Sequence, residues 1–182
     1  MYGMIHRAAR TMCIEVLGAP AWAELAASAG FDESDFLSAH VYDDARTFAL
    51  VSAIADKAGL TVAQALEAFG RFWITYADQS AYGQVMRMNG DTLAEFLSNL
   101  DRMHATIQRV LPETRMPSFH LESSSATYVN VLYQSDRAGL EPFVRGLLQG
   151  LMIRFGDTGD ITHEPTADGI RFSIALAVAR AA

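Results

Sequence analysis

The spacing of hydrophobic residues follows a helical period over roughly the first two-thirds of the chain. Residues 2–17 are rich in Ala and Met and predict a helix that ends at the Gly-Ala-Pro segment 18–20, because glycine and proline commonly end helices. A second, short helix carries Trp22 and ends near Gly30. The chain is therefore predicted to begin with a helical lobe.

Capping patterns mark the starts of three further helices. Asp43 or Asp44 is suited to cap the first of them. Thr61-Val-Ala-Gln and Thr92-Leu-Ala-Glu both match the capping box, in which a threonine and a Glu or Gln three residues later bond the free amides of the first turn. Pro112 ends the helix that Thr92 begins, and a link containing Tyr and Gly joins it to the helix before it.

The last third of the chain predicts four strands and one helix. Alternating β-forming residues indicate strands, and helical spacing returns between the second and third of them. The strands are expected around Leu121 and at 127–133, 160–164 and 170–179, the helix at 139–155, and a turn at Asp168-Gly169. A helical region followed by two strands, a helix and two more strands predicts an α+β fold with an antiparallel sheet beside a helical lobe.

Composition narrows the class of protein. The 182 residues fit one domain or at most two small lobes, and 51% hydrophobic residues suffice for a core plus an apolar ligand pocket. A net charge of −7 argues against nucleic acid as a partner. The single cysteine, Cys13, excludes a disulfide framework and is expected to be a buried thiol. Without a signal peptide or an apolar run of about 18 residues, a cytoplasmic protein outside the membrane is expected.

A histidine lies on the apolar stripe of the helix that begins after Thr92. The stripe comprises Leu93, Phe96, Leu97, Leu100, His104, Ile107 and Leu111. Burying an imidazole nitrogen without a partner costs about 1–3 kcal/mol, so His104 must be bound by something. A haem iron and a backbone carbonyl are both suitable partners. The other histidines, His6, His40, His120 and His163, have no partner at metal-ligand spacing and are expected to be surface or structural residues.

Three polar residues follow one another at alternate positions where a strand ends. Tyr133, Ser135 and Arg137, here called the Tyr-Ser-Arg cluster, share one face of an extended chain and suit a carboxylate or a phosphate. The alternative is a solvated arginine beside a capping Ser135 or Asp136. A catalytic role is not favoured, because Ser135 lacks a neighbouring base and a nucleophile elbow, and the chain has no P-loop.

Six motifs follow one another in order along the chain. They are M-Y-G-M-I (1–5), F-G (69–70), E-F-L-S-N-L-D-R-M-H (95–104), P-S-F (117–119), Y-Q-S-D-R (133–137) and R-A-G-L (137–140). Together they resemble the H-NOX (haem–nitric oxide/oxygen binding) family, which includes the sensor region of soluble guanylate cyclase and whose Tyr-x-Ser-x-Arg signature the Y-Q-S-D-R segment matches.

The resemblance implies a single haem domain over 1–182, with a helical subdomain of about 1–60, an α/β subdomain of about 61–182 and a b-type haem between them. His104 would be the axial iron ligand, and the Tyr-Ser-Arg cluster would hold the haem propionates. Ile5 and Pro117 would press on the haem and bend it. The remaining pocket residues would be Trp73, Phe96, Leu100, Phe143, Leu147 and Leu148.

The resemblance also bears on which gas is bound. Members that hold O2 stably carry a distal tyrosine, because iron-bound O2 has negative charge that a hydrogen-bond donor stabilises. Here that position falls at Phe143, or at Pro142 if the register slips, and neither side chain donates. We therefore predict that NO and CO bind and that O2 is largely excluded. Trp73 falls near a second distal position and could donate, and Tyr76 and Tyr82 cannot be assigned from the sequence.

In the family's mechanism, NO weakens or breaks the bond between iron and His104, and the helical lobe shifts against the α/β lobe. A separate histidine kinase or cyclic-di-nucleotide enzyme would receive the signal, since no output domain and no enzyme activity are evident in this sequence. Two alternatives stay open. One is an O2 sensor whose distal donor is Trp73 or a tyrosine, and the other is a haem-free interaction module.

Overall fold

The computed structural model describes residues 1–177 and has the predicted α+β architecture. Its helices precede and flank one antiparallel sheet. The helices are α1 Gly3–Leu17, α2 Ala19–Ala29, a 3-10 helix Glu33–Phe36, α3 Asp44–Ala58, α4 Val62–Gln79, α5 Gly83–Arg87, α6 Leu93–Val110 and α7 Glu141–Phe155. The strands are β1 Ser118–Ser124, β2 Tyr128–Gln134, β3 Gly159–Pro165 and β4 Ile170–Leu176.

Local capping chemistry explains several of the helix ends. The Asp43 carboxylate accepts a hydrogen bond from the Ala45 amide at the start of α3, and Thr61 forms the predicted capping box at the start of α4. Gly30 ends α2 in the left-handed conformation, at φ +67°, which glycine adopts without strain. The sequence therefore predicted these boundaries correctly.

The capping box predicted at Thr92 forms only in part. The Thr92 hydroxyl accepts from the Glu95 amide, as predicted. The Glu95 carboxylate, however, accepts from the amide of Asp91 instead of that of Thr92. The Tyr- and Gly-containing link also contains α5, which the sequence did not predict because five residues carry too little periodicity.

The four strands form one antiparallel sheet in the order β1-β2-β4-β3. The turn that contains Asp168 and Gly169 joins β3 to β4, as predicted. Strand β4 is described to Leu176, so positions 178–179 of the predicted strand lie outside the described residues. Val129, Val131 and the other alternate residues of β2 are buried, which gives the period-2 pattern of a sheet with one covered face.

Hydrophobic side chains form two main clusters. One joins the sheet to α6 and α7, and the other joins α1, α2 and α3 to Phe69 of α4. Trp73 packs against both clusters. Cys13 is buried in the second cluster, as expected, and burial raises the pKa of its thiol. The expected subdomain boundary near residue 60 stays a prediction, since α4 contacts helices on both sides of it.

Helices α4 and α7 approach each other so closely that their backbones touch. A Cβ atom at Gly70 would lie 2.2 Å from the Phe143 carbonyl oxygen, and one at Gly146 would lie 2.0 Å from that of Glu67. Both distances are well inside van der Waals contact, so only glycine fits at these positions. The Phe-Gly pair at 69–70 therefore has a packing role.

Within the described range, no single helix is both long and apolar enough to cross a membrane. Helices α3 and α4 pass that test only as a pair, and they meet at a bend of 103°.

Candidate cofactor-binding cavity

A large cavity lies between the helices and the sheet. Its volume is about 610 Å³, within the range of about 300–1,000 Å³ that is usual for small-molecule and cofactor sites. Its walls are mainly apolar and come from α1, α3, α4, α5, α6 and α7, together with the loop between α6 and β1. Such a cavity suits a largely apolar ligand with a few polar groups at one edge.

The structure brings all twelve sequence-predicted site residues to this one cavity. They come from seven different parts of the chain and span more than 140 positions of it. They are Ile5, Trp73, Phe96, Leu100, His104, Pro117, Tyr133, Ser135, Arg137, Phe143, Leu147 and Leu148. Their common location is observed, whereas the role of each residue stays a prediction.

His104 projects from α6 into the cavity wall with one ring nitrogen engaged. Its Nδ1 lies 3.0 Å from the carbonyl oxygen of Pro117. A carbonyl can only accept, so Nδ1 carries the hydrogen and Nε2 of the neutral ring keeps its lone pair. Burial lowers the pKa of His104, which favours this neutral form. A neutral imidazole with a fixed tautomer is what iron or another metal requires as a ligand.

Asp101 fixes α6 against the first strand of the sheet. One carboxylate oxygen accepts from the Ser118 hydroxyl at 2.6 Å, and the other accepts from the Phe119 amide at 2.7 Å. Since Asp101 lies one turn before His104, these bonds also fix the position of the imidazole relative to Pro117. Sequence reasoning missed Asp101, because nothing in its local pattern indicates a partner on a strand.

The Tyr-Ser-Arg cluster lies at one edge of the cavity. Tyr133 is buried, and burial raises the pKa of its phenol, so it stays a neutral hydroxyl. The Ser135 hydroxyl oxygen accepts from the Arg137 amide at 3.1 Å, which turns the chain after β2. The Arg137 side chain is only 12% exposed, so the alternative of a solvated arginine is wrong.

Arg137 is held by groups that the sequence did not connect to it. Its Nε donates to Asp44 at 2.8 Å, and its Nη1 donates to the carbonyl of Arg115 at 2.8 Å. Arg115 in turn forms ion pairs with Asp44 and Asp136. Asp44 and Arg115 also line the cavity. They were missed because their partners lie far away in the sequence.

Asp44 has a third contact, with the amino group of Met1 at 3.0 Å. Burial alone would raise the pKa of its carboxyl group. The hydrogen bonds from Arg137 and from the Met1 amino group outweigh burial and hold the pKa below its usual value. Asp44 is therefore ionised at neutral pH.

The rest of the cavity wall is dominated by aromatic and aliphatic side chains. Phe143 packs against Phe69 at 5.3 Å between ring centroids. The donors in this wall include the indole of Trp73 and the phenol of Tyr82. Neither donates to a protein group in the described part of the chain. Tyr76 does not line the cavity and lies against Trp73 at 6.0 Å.

The remaining histidines lie away from the cavity. His6 is fully buried; its Nδ1 donates to the Asp35 carbonyl at 2.8 Å, and its Nε2 accepts from the Thr47 hydroxyl at 2.8 Å. His40, His120 and His163 are exposed. These positions agree with the expectation of structural and surface roles.

A comparison with known families identifies one match. The model of a family described as Haem-NO-binding matches residues 2–163. Among curated proteins, the chain is 29% identical over 163 residues to soluble guanylate cyclase gcy-35 of Caenorhabditis elegans, which covers 87% of the chain and 23% of the relative. It is 30% identical over 165 residues to gcy-32 of the same organism, with 89% and 24% covered. The chain thus spans about a quarter of the length of these relatives.

Solved structures show the same fold. An H-NOX protein from S. oneidensis in the Fe(II)NO ligation state superposes with a TM-score of 0.84 at 21% identity, covering 97% of this chain and 99% of that one. The Fe(II) unliganded H-NOX protein from K. algicida gives 0.82 at 18% identity, with 100% of both chains covered. The predicted fold class is therefore confirmed.

The cavity residues fit a haem on chemical grounds. Nε2 of His104 offers a lone pair in a wall that is otherwise apolar. The polar edge carries the hydroxyls of Tyr133 and Ser135 and the guanidinium of Arg137, which suit carboxylates. An apolar disc with two acidic groups at one edge matches both features.

Proposed function

This chain belongs to the haem-NO-binding family, whose members are haem-based gas-sensing domains, and we propose that it binds haem b through His104, responds to NO and CO, and excludes O2. The observation that carries the proposal is the state of His104. Its Nδ1 is tied to the Pro117 carbonyl and its Nε2 remains available in an apolar cavity. When bound, the haem supplies a ferrous iron that takes diatomic gases.

The protein's own residues hold and orient this group. Pro117 fixes the imidazole tautomer, and burial keeps the imidazole neutral, so the ring can donate a lone pair at neutral pH. The Tyr-Ser-Arg cluster binds the two carboxylates of the group. Ile5 and Pro117 lie in the cavity wall, where they can press on its flat face. Phe96, Leu100 and Leu148 exclude water from it.

Exclusion of O2 follows from the polarity of the wall. Phe143 and Leu147 offer no hydrogen bond to a bound gas. Bound NO and CO need little stabilisation from a hydrogen-bond donor, whereas stable binding of O2 depends on one. The phenol of Tyr82 and the indole of Trp73 are the donors that support the second candidate, an O2 sensor, because both line the cavity without a protein partner in the described range.

We propose that the signal passes to a second protein. We propose that a change at His104 reaches the protein surface through Pro117 and the loop between α6 and β1. The partner is a histidine kinase or a cyclic-di-nucleotide enzyme, as the family resemblance suggests. The proposal assigns no catalytic step to this chain, and the expected cytoplasmic location stays a prediction.

Absorption spectroscopy of the reduced protein tests the proposal. The expected result is a five-coordinate ferrous spectrum that changes on addition of NO and stays the same on brief exposure to air. His104→Gly is the matched variant; it should bind haem weakly, and free imidazole should restore binding.

Each other outcome points to a different function. A stable change of spectrum in air would favour the O2 sensor with Tyr82 or Trp73 as donor. Absence of a haem band after expression with ample haem would overturn the proposal and favour the interaction module.

A further inference from the structure

A compact ion-pair network joins three segments at the polar edge of the cavity. Asp44 begins α3, Arg115 lies in the loop between α6 and β1, and Arg137 lies in the loop between β2 and α7. One oxygen of Asp44 accepts from Arg137 Nε at 2.8 Å and from Arg115 Nη2 at 3.1 Å. The Arg115 carbonyl accepts from Arg137 Nη1 at 2.8 Å.

Burial separates the strong interaction in this network from the weak one. The Arg115 side chain is 62% exposed, and an ion pair in water adds little. The side chains of Arg137 and Asp44 are 12% and 23% exposed. A guanidinium that has lost most of its water depends on fixed protein partners, so the bond between Arg137 and Asp44 matters most.

The hydrogen-bond donors of Arg137 are only partly used. A guanidinium has five N–H groups in one plane. The Asp44 carboxylate accepts from the N–H group on Nε, and the Arg115 carbonyl accepts from one N–H group on Nη1. Asp136 lies 4.0 Å from Nη1, beyond hydrogen-bond distance. Two fixed contacts prevent the plane from rotating, and the Nη2 group keeps its donors for a ligand in the cavity.

We propose that Asp44 is a positioning residue, which orients the Arg137 guanidinium toward the carboxylate edge of the cofactor. This inference rests on the haem function proposed above. A planar guanidinium binds a carboxylate through two parallel bonds only when its orientation is correct. Asp44 sets that orientation in advance, which reduces the ordering that binding requires. Without Asp44, Arg137 would turn toward Asp136.

The test is the rate of haem loss from the purified holoprotein to an excess of a haem-scavenging apoglobin. We expect Asp44→Asn, which removes the charge, to raise the rate about tenfold, by analogy with the effect of removing the hydrogen-bond partner of a metal ligand. Asp56→Asn is the matched control. It removes the same charge from the same helix, is exposed and does not line the cavity, and its rate should equal that of the wild type.

A double variant shows whether Asp44 acts through Arg137. Once Arg137→Gln has removed the guanidinium, Asp44→Asn should have little further effect on haem loss. Urea unfolding of the apoproteins supplies a second measurement, because a merely structural role would lower the midpoint without changing haem loss.

Three results would overturn the inference. Haem loss from Asp44→Asn at the wild-type rate would do so. So would a double variant whose increase in the rate of haem loss equals the product of the two single increases, because the residues would then act independently. A wild type that takes up no haem would overturn the proposed function and this inference together. If the wild type binds haem normally and Asp44→Asn loses haem at the same rate, only the inference would be overturned.

Discussion

At the scale of single residues, the partners of a side chain decide its chemistry. His104 and His6 are both histidines with a backbone carbonyl on Nδ1. His6 also has the Thr47 hydroxyl on Nε2, so it is satisfied by the protein. His104 has no such second partner in the described residues and faces the cavity. The apolar stripe of α6 predicted the location of His104, whereas its tautomer could be assigned only from the structure.

Phe143→Tyr tests the polarity argument for gas selection. The new hydroxyl should donate to bound O2 and raise O2 affinity by about 10–100-fold, the effect of a hydrogen bond to a charged group of about 1.5–3 kcal/mol. The absorption spectrum in air and the O2 dissociation rate are the measurements. Phe143→Leu removes the ring without adding a donor and should still exclude O2. An unchanged spectrum of Phe143→Tyr in air would contradict the assignment of this position.

The burial of His6 should make the free energy of unfolding depend on pH. Burial lowers its pKa below the unfolded value of about 6.5, so the unfolded chain binds more protons. The stabilisation from neutral His6 is present above pH of about 6.5 and is lost as the pH falls below it. His6→Gln can still donate and accept but does not titrate. Urea unfolding at several pH values should therefore give it a smaller loss of unfolding free energy than the wild type.

The exposed His120 provides the control for that comparison. His120→Gln should lose stability with falling pH as the wild type does. If His6→Gln also followed the wild type between pH 7.5 and 5.5, another group would be responsible.

At the scale of elements, short-range signals determined what the sequence could predict. Helix ends that depend on a neighbouring cap, such as those at Asp43, Thr61 and Gly30, agree with the structure. Helix α5 and the 3-10 helix at Glu33–Phe36 are too short for a periodic pattern. The Glu95 carboxylate bonds Asp91 instead of Thr92, a choice between adjacent amides that a motif does not encode.

The contact between α4 and α7 predicts that two glycine substitutions along it lower the stability of the protein by different amounts. Gly146→Ala should lower the free energy of unfolding by about 2 kcal/mol or more, because its methyl group would meet the backbone of Glu67. Gly150→Ala should cost less, because the nearest backbone atom, the Arg71 carbonyl oxygen, lies 3.1 Å from the added methyl group compared with 2.0 Å at Gly146. Urea unfolding of both variants is the measurement. Equal midpoints would contradict the backbone contact.

At the scale of the whole molecule, the order of helices and strands was sufficient to predict the α+β fold. The twelve residues that the family resemblance implied for the cofactor site all line one cavity, although their roles stay predictions. The network of Asp44, Arg115 and Arg137 was not predictable, because it joins residues up to 93 positions apart. Ion pairs of this kind have no periodic signal, and only the assembled fold shows them.

Removal of haem should destabilise the entire domain. A ligand that binds only the folded state stabilises it, and a haem in the cavity of about 610 Å³ would contact several helices and the sheet at once. The melting temperature should fall by about 5–10 °C. Haem should restore it fully, and a porphyrin without iron only in part, because it makes no bond to His104. Equal melting temperatures with and without haem would contradict this expectation.

The backbone contact between α4 and α7 has a consequence for hydrogen–deuterium exchange. Amides in the central turns of the two helices are covered by each other's backbone and by both hydrophobic clusters. They can open to solvent only when most of the domain unfolds, so deuterium should enter them last. Amides of the short α5 should exchange through small local openings. The slowest-exchanging part of the protein would then be one wall of its ligand cavity.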